Sequence, residues 1–251
     1  MKSSVLAGLV VALSVSSAFA GGNKATIDQV GGYSHNAFIN QAGYGNESNG
    51  SQAGVTNTLN SFQTGNNNAA LISQNTGSEG GLNTAVSAQV GSNKGSVGIL
   101  QEGVNQTAAA AQAGNNHTAS ILQSGVQQTA VSVQTGQKNT ASIAQVDIAN
   151  VAVNTQSGTG GTLGASQSGV SNSLVNTDAG KYNTAIVIQS DGGFNVASTN
   201  FGSASSFNNA AIDQNGSLGS FASTDQFGTR DTAAISQTNT IASNASIVQS
   251  N

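Results

Sequence analysis

Gln106-Thr-Ala-Ala-Ala-Ala-Gln112-Ala-Gly114, His117-Thr-Ala119-Ser-Ile121-Leu-Gln123-Ser-Gly125, Gln128-Thr-Ala130-Val-Ser-Val-Gln134-Thr-Gly136 and Asn139-Thr-Ala141-Ser-Ile143-Ala-Gln145 write one phrase four times, with an anchor Gln every eleven residues. Counting from that Gln, a polar residue stands six before it, a small residue four before, Ile or a small residue two before, and Gly two after. These positions share one parity, so in an extended strand they point to one side. Gly then marks the place where the chain turns. A sustained internal repeat determines the architecture before any single residue does.

The phrase extends in both directions. Anchors fall at Gln29, Gln41, Gln52, Gln63, Gln74, Gln89, Gln101, Gln112, Gln123, Gln134, Gln145, Gln156 and Gln167, then Asp178 in place of Gln, then Gln189. A longer connection, 75–82, interrupts the spacing once. After Gln189 the period loosens, with Phe201 in the anchor place, before Gln214, Gln226, Gln237 and Gln249. The polar position six before the anchor includes Asn23, Asn57, Asn68, Asn83, Asn139, Asn150, Asn172, Asn183 and Asn208, and His117 takes it before Gln123. The turn glycines are Gly43, Gly54, Gly65, Gly91, Gly103, Gly114, Gly125, Gly136, Gly169 and Gly180.

Helix is excluded, because apolar positions recur at two and then jump at eleven, never at three and four. Each unit predicts about seven extended residues and a four-residue turn. Two units form a 22-residue strand-turn-strand layer, so the chain is expected to be all-β: a cross-β, amyloid-like β-solenoid of about ten stacked layers. At about 4.8 Å per layer its length is on the order of 50 Å. The inward set is Asn, Ala, Ile and Gln, a thin and partly polar core. Pairs such as Ala119/Ile121 and Ala141/Ile143 interdigitate as a dry zipper. A buried amide without a partner costs about 1–3 kcal/mol, and in-register stacking supplies a partner above and below.

Composition agrees. Charged residues make up 6% and aromatics 4%, with 32 Gly and no Pro, Cys or Trp. Low charge separates the chain from highly charged disordered sequences, and without Pro no strand is forbidden. A formal charge of −4 with no basic stripe gives no reason to expect a nucleic-acid or membrane-surface partner. Residues 1–20 read as a signal peptide, with Lys2, an apolar run from Val5 to Val15, and a small-x-small site at Ala18-Phe-Ala20. The run is too short to span a membrane. The repeat region is then 21–251, exported and stabilised without disulfides.

Phrases such as Asn139-x-Ala141-x-x-x-Gln145, with the connectors Gln123-x-Gly125-x-x-Gln128 and Gln63-x-Gly65-x-x-Asn68, resemble the curlin repeat, and the likeness runs from Asn23 to Gln249. The resemblance implies a secreted bacterial subunit of curli, the extracellular amyloid fibres of biofilm matrix and surface adhesion. It implies three sets of partners: further copies of itself, a nucleator subunit, and an outer-membrane secretion channel with accessory proteins. The chain departs from the best-known members in starting its repeat almost directly after the cleavage site and in having roughly twice their repeats. It lacks a basic, divergent last repeat, which points to a major structural subunit rather than the nucleator.

Other chemistries were weighed against the residues. The carboxylates Asp28, Glu47, Glu79, Glu102, Asp147, Asp178, Asp191, Asp213, Asp225 and Asp231 are scattered, whereas a glycosidase needs a convergent pair. They read as gatekeepers that limit aggregation. Asp178 stands apart: an inward carboxylate breaks the Gln ladder, and it either marks a weak layer or finds solvent. His35 and His117 have no partner at metal-ligand spacing, so no enzyme, metal or cofactor is expected. An ice-binding face would need two threonine columns. Thr118, Thr140, Thr162 and Thr184 supply one, but Ser120, Ser142, Gly164 and Ile186 stand where the second would be. A non-polymerising solenoid adhesin is the other alternative. The outward Thr and Val positions could let fibres bundle sideways, and Phe194, Phe201, Phe207, Phe221 and Phe227 are either a lateral contact or accommodated insertions.

Overall fold

The computed structural model describes residues 10–13, 21–32, 34–76 and 81–250. Two parallel sheets contain all the strands of the described residues. The odd-numbered sheet runs β1 (Val10–Leu13), β3 (Asn36–Tyr44), β5 (Thr58–Asn66), β7 (Thr84–Asn93), β9 (Thr107–Asn115), β11 (Thr129–Gln137), β13 (Val151–Gln156), β15 (Ser173–Asp178), β17 (Val196–Phe201), β19 (Phe221–Gln226) and β21 (Asn244–Gln249). The even-numbered sheet runs β2 (Lys24–Val30), β4 (Glu47–Ala53), β6 (Ala69–Asn75), β8 (Ser96–Val104), β10 (Thr118–Val126), β12 (Thr140–Ile148), β14 (Thr162–Val170), β16 (Thr184–Gly193), β18 (Asn209–Asn215) and β20 (Thr232–Thr238). Successive strands alternate between sheets, so each pair closes one coil of a β-solenoid of about ten coils. No helix occurs among the described residues.

The register follows the repeat. Thr118 pairs with Thr140, Ala119 with Ala141, Ile121 with Ile143 and Gln123 with Gln145. The longer spacings are absorbed outside the anchor columns: Gln63 still pairs with Gln89, with an irregularity just after it. Of the predicted signal peptide, only the backbone of Val10–Leu13 falls within the described residues, as a strand against β3. Residues 77–80 of the predicted long connection also lie outside them.

The strands are longer than the repeat suggested. In β10 and β12 the ladder continues through the glycine position to Val126 and Ile148, leaving two residues for each corner. The reason is that the turns are themselves stacked. Gln127 N–H donates to the Val104 carbonyl and Lys138 N–H to the Asn115 carbonyl, both at 2.9 Å, so even the corners spend their backbone groups on the coil before.

The two sheets contribute different side chains to the core. Two residues before the anchor, the even sheet brings Ile72, Ile99, Ile121, Ile143 and Ile212, all buried. The odd sheet brings Ser87, Ala110, Ser132, Asn154, Asn176 and Thr199 at the same position, also buried. Four before the anchor both sheets hold mostly Ala. Volume is compensated where a large residue is missing: a Cβ on Gly50 would press on the Leu59 side chain across the sandwich. The columns that pair Gly50 with Leu59 pair Ala165 with Leu174 further along, and both leucines are fully buried.

Candidate functional site

The anchor residues form two columns of stacked amides inside the solenoid. Along the even sheet each Gln donates from Nε2 to the Oε1 of the anchor one coil on: Gln29 to Gln52 at 2.7 Å, Gln52 to Gln74 at 3.0 Å, Gln74 to Gln101 at 2.8 Å, Gln101 to Gln123 and Gln123 to Gln145 at 2.9 Å. Gln145 to Gln167, Gln167 to Gln189, Gln189 to Gln214 (each 2.8 Å) and Gln214 to Gln237 (2.7 Å) complete it. The second Nε2 hydrogen commonly goes to a backbone carbonyl of the odd sheet, as from Gln123 to Thr107 at 3.1 Å. Burial of these amides therefore carries little penalty, and the bonds tie the sheets together.

Along the odd sheet the column runs from Gln41 through Gln63, Gln89, Gln112 and Gln134 to Gln156, at 2.7–3.0 Å. There it stops. Gln156 stacks on Asp178 and Asp178 on Phe201, and Gln226 to Gln249 resumes it at 2.7 Å. Asp178 does not find solvent: it is 1% exposed. Its Oδ1 accepts from Gly180 N–H and Asn183 Nδ2, both at 2.8 Å. Its Oδ2 and the Nε2 of Gln156 have no hydrogen-bond partner. Burial pushes the Asp178 carboxyl above the usual carboxylate range, against the lowering by those two donors. Phe201 is fully buried with Leu163, Ala185 and Ala210 in a small second core. One coil of the odd column has thus exchanged an amide for an apolar plug.

The corner position six before the anchor is a second stack. Asn46 Oδ1 accepts from Asn68 N–H at 3.0 Å, while its Nδ2 donates to the Ala42 and Gly65 carbonyls at 3.0 Å. One asparagine therefore closes its own turn and grips the next. The same type of backbone bond joins Asn23 to Asn46, Asn83 to Gln106, Asn139 to Gly161, Asn150 to Asn172, Asn172 to Asn195, Asn183 to Asn208 and Asn208 to Asp231. Asn57 keeps only the bond to its own turn, to the Ala53 carbonyl at 2.8 Å, and its Oδ1 has no partner. His35 and His117 substitute for asparagine, each accepting at Nδ1 from the next corner N–H at 3.3 Å. His117 is fully buried, and burial lowers its pKa despite bonds to the Ala113 and Gly136 backbones that raise it. Gln106 and Gln128 substitute less well, since the extra methylene leaves both Oε1 atoms without a partner.

Nine of the ten predicted turn glycines have positive φ, from 59° at Gly91 to 127° at Gly125. At Gly114 a Cβ would also collide with the Gly136 carbonyl of the next coil. Gly180 is the exception, its N–H held by Asp178 Oδ1 at 2.8 Å, and Gly158 one coil before likewise lacks a positive φ. The repeat did not reveal a second left-handed position just before the corner, held by Asn67, Lys94, Asn116, Gln127 and Lys138 at φ 55–58°. Its residue types vary; only the mild preference of Asn for this conformation hints at it. Nor did it reveal the short internal stack in which Asn176 donates to Asn154 at 3.1 Å and accepts from Thr199 at 2.6 Å. Asn46 and Asn195 belong with the corner asparagines as well.

Residues 96–125, spanning β8, β9 and most of β10, match the family model of the curlin associated repeat. This segment carries the curlin repeat. The match supports membership of the curlin family, and the register extends the same pattern over the coils on either side of it. A comparison with curated proteins finds no match. A curlin repeat on a β-solenoid is a structural arrangement. Among the described residues no three His, Cys, Asp or Glu come together as a metal centre, and no helix is long and apolar enough to cross a membrane.

At the solenoid's ends the repeat stays in phase. β2 and β20 are the terminal strands of the even sheet, and β21 ends the odd sheet. Ala25, Ile27, Ala245 and Ile247 pack on the core while only partly covered. Gln29 Oε1 has no partner. Gln237 Nε2 donates to the Phe221 carbonyl at 3.2 Å, which leaves its other hydrogen in the place that preceding anchors use for the next Gln.

Proposed function

We propose that the chain, freed of residues 1–20, is a secreted major subunit of curli-type fibres that adds to its own kind head to tail. The observation that carries this is the polarity of the even ladder. Every amide in it donates toward the C-terminal end, so one end of the solenoid lacks a donor at Gln29 Oε1 and the other has a spare one at Gln237. A second copy stacked with β2 on β20 supplies what each end lacks. It also sets Ala25 on Ala233 and Ile27 on Ile235, while β3 on β21 sets Ala37 on Ala245, Ile39 on Ile247 and Gln41 on Gln249. Head-to-head contact would oppose two donors or two acceptors. Because the contact is heterologous and does not close, it produces a filament, and the exposed strand edges act as its template.

Removal of the leader takes β1 away from β3 and leaves both sheets open at that end. Growth at the cell surface, a nucleator, and export through an outer-membrane channel belong to the same reading and follow from the curlin resemblance. The test is dilution of the mature chain from denaturant with an amyloid dye, with and without preformed seeds. A lag that seeds abolish is expected. A soluble solenoid with strand signal, no dye response and no effect of seeds would overturn the proposal.

A further inference from the structure

The topology sorts the charges onto the two edges of the sandwich. Chain segments passing from an odd strand to an even one lie on one edge, and those passing from even to odd lie on the other. The first edge carries Lys94, Lys138, Lys181 and Arg230, all exposed, with the half-buried Asp231 beside Arg230. The second carries Glu102, Asp147 and Asp191, also exposed. Both rows recur every second coil, about 10 Å along the axis. Their phases also agree: Lys94 leads into β8 and Glu102 lies at its far end, Lys138 leads into β12 and Asp147 ends it, and Lys181 leads into β16 and Asp191 ends it. Most of a strand's length separates each cation from its anion, so the rows cannot meet within one chain.

Two further observations fall on the same levels. Asp147 occupies the turn position where the adjacent coils have Gly125 and Gly169, at φ 77°, and Asp191 sits at the irregularity in β16 at φ 51°. Both carboxylates thus hold a backbone conformation that L residues seldom adopt, Asp147 with a bond from Gly169 N–H to its Oδ2 at 2.9 Å. Next to Lys181, Tyr182 stacks on Phe207 with ring centroids 5.2 Å apart, and both rings stay more than half exposed. At the matching levels of the opposite edge stand Phe194, 63% exposed, and Leu218, 49% exposed.

We propose that the two edges are a matched lateral interface for a second copy of this chain, the basic edge of one solenoid lying against the acidic edge of its neighbour. A sideways translation with no shift along the axis brings Lys94, Lys138 and Lys181 opposite Glu102, Asp147 and Asp191. It also brings Tyr182 toward Phe194 and Phe207 toward Leu218. Translation alone repeats the contact, so filaments join into flat ribbons of parallel members. This gives three of the C-terminal aromatics a role that axial stacking does not use.

Fibre width by electron microscopy at about 10 mM and about 1 M salt, where the Debye length is about 30 Å and about 3 Å, tests this alongside the seeded growth rate. Ribbons are expected at low salt and single filaments at high salt. The chain with Lys94→Glu, Lys138→Glu, Lys181→Glu and Arg230→Glu should give single filaments at both, with its seeded growth rate within twofold of the parent. Adding Glu102→Lys, Asp147→Lys and Asp191→Lys, which exchanges the rows, should restore the ribbons. Ribbons that survive the first set, or survive 1 M salt, would overturn the interface. Ribbons that the exchange fails to restore would also overturn it, and would point to a polyanion on the basic edge. Should no fibre form at all, the axial reading fails separately, and sedimentation of the soluble chain decides the edges: salt-sensitive self-association that the same sets abolish and restore supports them, and a monomer at low salt sinks them.

Discussion

Along the even sheet the anchor column is glutamine in every coil from Gln29 to Gln237, whereas along the odd sheet it passes through Asp178 and Phe201 between Gln156 and Gln226. The backbone register is the same on both sides of the sandwich, so the pairing of strands does not depend on the amide stack. What the interruption changes is polar satisfaction: the even column leaves a ladder atom unpartnered only at its open N-terminal end, while the odd one leaves Gln156 Nε2 and Asp178 Oδ2 unpartnered in mid-stack. The odd sheet also carries Ser, Asn and Thr where the even sheet carries Ile. The even sheet is therefore the uniform spine of the molecule, and the odd sheet is where local variation has been absorbed.

The comparison can be broken most strongly by cutting each column with the same substitution. Gln145→Leu removes bonds to Gln123 and Gln167 and strands a donor and an acceptor, costing about 2–6 kcal/mol at about 1–3 kcal/mol for each orphan. Gln156→Leu strands only Gln134, and its own Nε2 has no partner to lose, so about half that cost is expected. Denaturant midpoints of the two variants check this, and equal costs would remove the distinction between the sheets.

Asp178→Asn sharpens it from the other side. A carboxyl whose pKa is raised by folding adds stability below its unfolded value of about 3.9, and that stability is lost as pH rises through the raised value. The parent should therefore lose stability as pH climbs from about 4, and Asp178→Asn should gain about 1–3 kcal/mol at neutral pH and nothing near pH 3. His117 works in the opposite sense. Its pKa is lowered by burial, so its contribution is intact above about 6.5 and declines as pH falls below that. His117→Asn should flatten the slope just below pH 6.5 while leaving the Asp178 slope in place, as read from melting temperature against pH.

Much of this was legible because the repeat has one solution. Same-parity positions at an eleven-residue period fix the sheets, the anchors and the inward face, and the Gln29–Gln249 series falls in two columns, the even one continuous and the odd one broken at Asp178 and Phe201. Asp178 was visible as a defect, but its burial was not, since that depends on Gly180 and Asn183 closing around it. The difference between the sheets was written in alternate units, at Ile121 and Ile143 against Ser132 and Asn154, and is hidden when all units are averaged. The left-handed corner residues stayed out of sight because their constraint is backbone closure, as in Asn67 N–H to the Tyr44 carbonyl at 2.8 Å, which tolerates Asn, Lys or Gln alike.

The smallest expected effect lies at a corner. Gln106→Asn shortens the side chain so that its oxygen reaches the Gln128 N–H as asparagine does in other coils, and should add about 1 kcal/mol or less. A measured loss would mean that the corner stack does not distinguish the two amides.

The central claim is that copies continue one another's ladder in register, and a covalent trap tests it directly. The chain has no cysteine of its own, so Asp28→Cys with Ser236→Cys places one thiol at each end, in the outward column one residue before Gln29 and Gln237. If β2 of one copy stacks on β20 of the next, the two Cα atoms lie about 4.8 Å apart, within disulfide reach. Oxidised fibres should then run as a series of covalent multimers on a denaturing gel, while Thr26→Cys with Ser236→Cys, two positions out of register, should remain monomeric. Equal trapping of both pairs, or of neither in fibres that still form, would contradict the account.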